Sequence, residues 1–183
     1  LISAFAWRNH LSESSLSEYR NNFSEDNVNN LNKLIETVNK IHSFELCRLD
    51  IKINNMMIDD GVIKLIDIDR ALIGESCNKK SREKDRDGNQ FINWRKGSTD
   101  FMFGNDNYTL KQHDLHSLYK VFLNLLSKEV ELKDFMRNNI IKDINRIREK
   151  VNSNQNNSLL KSYILLILQK MEELYNKASK NEY

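Results

Sequence analysis

Cysteine is scarce in this chain, and its spacing excludes more than its number does. Cys47 and Cys77 stand far apart, with no C-x-x-C or C-x-x-x-H pattern around either. That argues against a disulfide framework and against a structural zinc site, and makes a reducing compartment the default expectation. Long apolar runs are also missing: "SYILLIL" falls far short of the roughly 20 residues a membrane span needs, so no span is expected. The N-terminal "LISAFAW" has neither a basic flank nor a cleavage pattern, so no signal peptide is visible. An excess of one charge is missing too. With 28 Lys and Arg against 26 Asp and Glu the net charge is +2, and nothing in that balance calls for a nucleic acid or an anionic membrane. Proline is absent altogether while Asn and Lys abound, a bias to assign to an AT-rich genome before any function.

What is there describes a soluble globular protein: 183 residues, 39% hydrophobic and 30% charged, enough for one domain with a real core or one large lobe of a two-lobe protein. The chain opens on Leu1 and not on Met, which gives the expectation of a fragment or a processed product. "LISAFAW" reads as a strand already under way, and "SESSLSEYRNNF" offers Ser caps and a brief helix from about Leu16. From Asp26, an N-cap candidate, Val28, Leu31, Leu34, Ile35, Val38 and Ile41 recur at spacings of three and four. They predict a helix of about 18 residues with one buried face. "MMID" and "VIKLI" flank Asp59-Asp60-Gly61, the strongest hairpin signal in the chain, because Asp-Gly supplies the turn geometry. Residues from about 74 to 97 are polar and aperiodic, as a functional or mobile loop would be. "LKQHDLHSLYKVFLNLL", from Leu110 to Leu126, is again amphipathic, and two more helices are expected at about 131 to 151 and about 157 to 178. The reading is mainly α with one small β-hairpin.

Between the first long helix and the hairpin lies "LCRLDIKINNMMIDDGVIKLIDIDRA", residues 46 to 71, which sets Asp and Asn among Ile, Leu and Met. Carboxylates buried in such company need pairing, hydrogen bonds or a metal. Antiparallel strands of similar length bring their outer ends together, so the hairpin can fold Asp67 back beside Asn55. An Asp and an Asn offer hard oxygens suited to Mg²⁺, which takes few protein carboxylates and fills its shell with water and phosphate. Asp50 could then accept a hydroxyl proton, and Lys52 could steady a transferring phosphoryl group.

These residues resemble the eukaryotic-type protein kinases, whose catalytic loop H-R-D-x-K-x-x-N precedes a hairpin and a D-F-G triplet. Asp50 to Asn55 supplies D-x-K-x-x-N, and Asp67-Ile68-Asp69 stands where D-F-G would be. "GSTDFMFGN", Gly97 to Asn105, looks like the G-T-P-x-Y-M-A-P-E segment, and "DLHSLYKVFLNLL" from Asp114 like the D-V-Y-S-L-G helix. "LISAFAW" resembles the strand leading into the hinge and "LIETVNKIHSFELC" the helix that ends at the catalytic loop. The resemblance thus implies a protein-kinase-like C-terminal lobe over residues 1–183. Within it fall a hinge strand region at 1–12, a catalytic loop, hairpin and metal motif at 46–71, an activation segment at 72–105 and a helical subdomain at 106–183.

Roles follow from the resemblance. Asp50 is the implied catalytic base and Lys52 the contact to the γ-phosphate. Asn55 and Asp67 are the implied ligands of Mg²⁺ (or Mn²⁺), with Lys52, Asn55 and Asp67 together binding ATP. Asp114 would hold the catalytic-loop backbone, and Ser98 and Thr99 would lie in the substrate-facing loop. The implied partner is a protein Ser/Thr substrate, since Lys two residues after the catalytic Asp is the serine/threonine-type choice. The implied compartment is the cytoplasm, or a host cell's cytoplasm for a secreted effector. A kinase also needs a Gly-rich loop and a strand Lys, and neither precedes the hinge strand here, so activity is expected only together with an N-lobe. This sequence departs from the pattern at Arg48-Leu49, at Ile68-Asp69 and at Asn105. With no Arg next to Asp50, the resemblance gives no reason to expect activation by loop phosphorylation. Ile68 can still fill an apolar slot, whereas Asp69 in place of Gly stiffens the turn and adds a charge.

Other readings stay open. Asp50, Asn55 and Asp67 can be capping residues of an ordinary polar loop. A kinase-like binding module without catalysis and a small-molecule kinase are the alternative functions. His113 and His116 lie one turn apart with no third ligand of matching spacing, and read as surface or packing residues. In "NKKSREKDRDG" acidic residues interleave with basic ones, which fits a solvated activation loop better than a nucleic-acid patch. Ser76, Ser81, Ser98 and Thr99 of the activation segment could be phosphorylated, and Phe91, Trp94, Phe101 and Phe103 would pack the loop's base or a substrate shelf.

Overall fold

The computed structural model describes residues 24–59, 62–69, 71–80, 107–126, 140–153 and 158–180. Helix α1 (Glu25–Ser43) starts where the Ser24 hydroxyl accepts the Asn27 N–H at 3.3 Å, with Glu25 and Asp26 in the positive first turn and Lys40 and His42 in the last. The cap is therefore Ser24, two residues before the expected Asp26, which sits inside the first turn instead. Leu31, Leu34, Ile35 and Val38 form the buried stripe that the spacing predicts.

After α1 come strand β1 (Leu46–Cys47), the hairpin strands β2 (Met56–Asp59) and β3 (Val62–Leu65), and strand β4 (Leu72–Ile73). β2 and β3 pair antiparallel from Met56↔Leu65 to Asp59↔Val62, leaving Asp60 and Gly61 as the connecting pair, outside the described residues. Lys64 and Asp59 form an ion pair across this ladder. β1 and β4 make a separate two-pair ladder, Leu46↔Ile73 and Cys47↔Leu72. Gly74, at φ +84°, follows β4 into a short 3-10 turn, Gly74–Asn78.

Helix α2 (Leu110–Leu126) is buried nearly all round, as befits a helix that forms the axis of a core. It opens on a capping box: the Thr109 hydroxyl accepts the Gln112 N–H at 3.3 Å, and the Gln112 side-chain oxygen accepts the Thr109 N–H at 2.8 Å. Helices α3 (Ile140–Ser153) and α4 (Ser158–Lys180) follow. α4 packs against both α2 and α3, while α1 packs against α2, β1 and β3. One continuous core joins Leu31, Leu34 and Val38 of α1, Leu118, Phe122 and Leu125 of α2, Ile144 and Ile147 of α3, and Ile164, Ile167 and Met171 of α4. At its rim Arg148 of α3 meets Glu172 of α4 at 2.7 Å. The architecture is mainly α with small antiparallel ladders at the end of α1. Among the described residues no helix is long and apolar enough to cross a membrane. The strand expected in "LISAFAW", the helix from about Leu16 and residues 131–139 of the helix expected at about 131 to 151 lie outside the described residues.

Candidate functional site

From β1 into the following loop, burial alternates residue by residue. Cys47, Leu49 and Ile51 are fully or almost fully buried, whereas Arg48, Asp50 and Lys52 between them are only partly covered. The apolar residues pin the segment to the core and turn the polar ones outward as a row, the period-2 logic of an extended chain. The backbone is nonetheless far from a regular strand, since Glu45, Arg48 and Asp50 have φ of 55°, 60° and 47°. Left-handed backbone costs a residue with a Cβ on the order of 1 kcal/mol, so something must hold these residues in place.

That support comes from α2. Asp114 is buried at 3% exposure, and its carboxylate accepts the Arg48 N–H on Oδ2 and the Leu49 N–H on Oδ1, each at 2.9 Å. Oδ2 also lies 3.0 Å from His42 Nε2, at the last turn of α1. Burial pushes the Asp114 carboxyl above the usual carboxylate range, while His42 and the two N–H donors pull it back. A single side chain thus ties the end of α1, the loop and α2 together. His42 lies in the sequence stretch "KIHSFELC", yet nothing in its spacing announced this partner.

Asp50, Lys52 and Asn55 come together on the outward side. Lys52 Nζ donates to Asp50 Oδ2 at 2.6 Å, and Asn55 Nδ2 donates to the same oxygen at 3.0 Å and to the Asp50 carbonyl at 2.9 Å. Asn55 belongs to a 3-10 turn, Ile53–Asn55, and is itself 4% exposed, so this amide holds Asp50 from the core side. The second carboxylate oxygen, Asp50 Oδ1, is buried and has no hydrogen-bond partner among the described residues. Such an acceptor is costly to leave empty, and is suited to a hydroxyl brought by another molecule. The bonds between Asn55 and Asp50 engage only the Asn55 side-chain NH₂ group, and its side-chain Oδ1 is the oxygen that could meet a further ligand.

The hairpin closes as the sequence predicts. The Ile66 N–H donates to the Asn55 carbonyl at 2.9 Å, one step beyond the Met56↔Leu65 pair, so Asp67 follows directly on the residue opposite Asn55. Asp67 is exposed and left-handed, with φ 59°. Ile68, which could have filled an apolar slot, is 44% exposed, and Asp69 is exposed beside it. Ser81, Ser98, Thr99, Phe91, Trp94, Phe101, Phe103 and Asn105 lie outside the described residues, whereas Ser76 is partly buried in the 3-10 turn after β4. Among the described residues no group of three or more His, Cys, Asp or Glu is placed to hold a metal ion.

The cysteines overturn the expectation drawn from their spacing. Cys47 and Cys77 form a disulfide, with Cα atoms 5.5 Å apart. They are brought together by the β1–β4 ladder, a tertiary pairing that no local motif reveals. His113 and His116 are packing residues and not surface ones: both are buried, each edge-on to the Tyr108 ring with centroids 5.5 and 5.6 Å away. Desolvation lowers the His113 pKa to about 3.

No protein-family model matches this chain, and no curated protein matches its sequence. The functional reading rests on the residues and their geometry.

Proposed function

We propose that this chain is the C-terminal lobe of a kinase-like phosphotransferase that moves the γ-phosphoryl group of ATP to a protein Ser or Thr hydroxyl, acting together with a nucleotide-covering N-lobe. The observation that carries this reading is the Asp50 carboxylate. It is held by Lys52 and Asn55 on one oxygen while the other is buried and unpartnered among the described residues, and the two residues before it are bonded through their amides to Asp114.

In the reaction the acceptor hydroxyl hydrogen-bonds to Asp50 Oδ1 and is thereby oriented at the γ-phosphorus. The new O–P bond forms as the bond to the β-phosphate oxygen breaks, ADP departs, and the hydroxyl proton passes to Asp50. Lys52 offsets charge on the transferring group. The Asn55 side-chain Oδ1 and the exposed Asp67 carboxylate are hard oxygen donors that would hold Mg²⁺ or Mn²⁺, which would supply neutralisation of phosphate charge. Most of the rate enhancement in this scheme is positioning, which suits a base held by Lys52 and Asn55 on one carboxylate oxygen and by Asn55 on its carbonyl.

A second reading, a kinase-like binding module without catalysis, is favoured by exposed Ile68 and Asp69, which leave the segment around Asp67 without an apolar anchor. A small-molecule kinase has less support, since Lys52 is the residue that suits a protein acceptor. The test is phosphate transfer from labelled ATP to a generic protein substrate by the intact gene product. Asp50→Asn and Asp67→Ala should each lower it by about 10²-fold or more. Unchanged transfer by both variants would sink the proposal, and failure of the wild type to bind Mg·ATP calorimetrically would favour the module.

A further inference from the structure

The disulfide spans a separation of 30 residues, and between its two ends lie Asp50, Lys52, Asn55 and Asp67. The whole candidate site is therefore a covalently closed loop, with Asp114 bonding to its backbone one residue inside the Cys47 end. The other end is fastened by short contacts, with Lys80, beyond Cys77, making a single antiparallel bridge to Thr109. β4 pairs with β1 over two residues only, and the Gly74 N–H donates to the Glu45 carbonyl at 2.8 Å. Asn78 Nδ2 reaches Glu45 Oε2 at 3.5 Å, and Lys111 Nζ reaches Oε1 of the same carboxylate at 2.9 Å. Cys47 and Cys77 pack with Leu110 and Leu72 in a small cluster of their own, apart from the main core.

We propose that the Cys47–Cys77 bond is a redox-controlled clamp on the site, closed when oxidised and released by a thiol reductant of the glutathione class. The assignment of the enclosed residues to a site rests on the reading above. Reduction proceeds by thiol–disulfide exchange: a reductant thiolate attacks one sulfur, giving a mixed disulfide and freeing the other as a thiol. A second reductant thiol then displaces the first, leaving two protein thiols and one oxidised reductant disulfide, two electrons and two protons having moved to the protein. Both sulfurs are fully buried, so exchange requires the two-pair ladder to open, and so short a ladder is a ready place for local opening. Once the sulfurs are thiols they separate to van der Waals contact, the small cluster loosens, and β4 with its 3-10 turn is freed from Glu45. Asp67, which lies just ahead of β4, then loses its fixed downstream end, while Arg48 and Leu49 stay bonded to Asp114.

Amide hydrogen exchange across a series of reduced-to-oxidised glutathione ratios tests this on the intact protein, with alkylation counting free thiols. Reduction should release both thiols below the unfolding transition. It should speed exchange of the Gly74 amide at least ten-fold and leave the Arg48 and Leu49 amides protected. The Cys47→Ser/Cys77→Ser double variant should show the fast pattern at every ratio. Exchange at Gly74 that ignores the ratio would overturn the clamp, as would thiols freed only when the whole protein unfolds, or two thiols that oxidised glutathione does not join. None of these readouts depends on ATP, so the clamp and the phosphotransfer reading fail separately.

Discussion

Removing the Asp114 carboxylate should release the loop that carries Asp50. In Asp114→Ala two N–H groups, those of Arg48 and Leu49, lose partners 2.9 Å away, and His42 loses its partner at 3.0 Å. An unsatisfied buried donor costs about 1–3 kcal/mol, so the two backbone groups together come to about 4 kcal/mol. That is a large share of the roughly 5–15 kcal/mol that holds a domain folded. With a urea m value near 2 kcal/mol/M the midpoint should fall by about 2 M. Asp114→Asn keeps one acceptor oxygen and turns an NH₂ group toward the other donor, so its loss should be about half as large. The loop also has a local signature. Arg48 and Asp50 keep φ of 60° and 47° only while they are held, and their relaxation should speed exchange of the Arg48 and Leu49 amides before the helices open. A midpoint shift worth less than about 1 kcal/mol in Asp114→Ala, or an Asp114→Asn variant indistinguishable from wild type, would refute the idea that this carboxylate carries the loop.

Three further perturbations probe the frame around the site. Thr109→Ala deletes the hydroxyl that caps α2 at 3.3 Å and should cost about 1 kcal/mol in urea unfolding; a neutral result would mean that the Gln112 bond alone suffices. Phe122→Ala, in the fully buried middle of α2, should cost about 3–5 kcal/mol with an unchanged m value, and a loss under 1 kcal/mol would show that the core collapses around the deletion. His113 is held neutral by burial, with its pKa lowered from 6.5 to about 3. The unfolded chain therefore takes up this proton first as the pH falls, so the stability His113 preserves is complete above about pH 6.5 and is lost progressively toward pH 3, by up to about 1.4 kcal/mol per pH unit. His113→Phe should flatten urea midpoints measured between those limits by one proton's worth, and an unchanged slope would assign the acid sensitivity elsewhere.

The elements with a clear local cause were legible in the sequence. Asp60-Gly61 between two apolar runs marked the hairpin, because few residue pairs adopt its turn, and the heptad-like recurrence from Leu31 to Val38 marked the buried stripe of α1. The start of α1 was misplaced because Ser24 and Asp26 are both good caps and the apolar phase, which begins at Val28, favours neither. The contacts of the site were legible only in part. "LCRLDIKI" alternates apolar and polar residues, and that alternation decides which side chains face outward. His42 and Cys77 were not assigned their partners because those partners stand 72 and 30 residues away and are set by how α1, α2 and β4 pack. Left-handed backbone at Glu45 and Arg48 was invisible for a different reason: glycine and asparagine are its usual signals, and neither residue is one.

That strain is informative about the site as a whole. Glu45, Arg48, Asp50 and Asp67 all have φ between 47° and 60°, and all four lie within or beside the loop that the disulfide closes. At about 1 kcal/mol each such positions together cost several kcal/mol, and a chain free to relax would give them up. They persist because fixed points impose them: from outside the loop, Asp114 on the Arg48 and Leu49 amides and Glu45 on the Gly74 amide, and from within it, Asn55 on the Asp50 carbonyl. A merely polar surface loop needs none of this restraint. A site that must hold one carboxylate oxygen open, and keep Lys52 and Asn55 on the other, does need it, because thermal relaxation would let Asp50 turn and satisfy itself. The restraint therefore supports Asp50, ahead of the more numerous exposed acids of the same stretch, as the residue around which this segment is built.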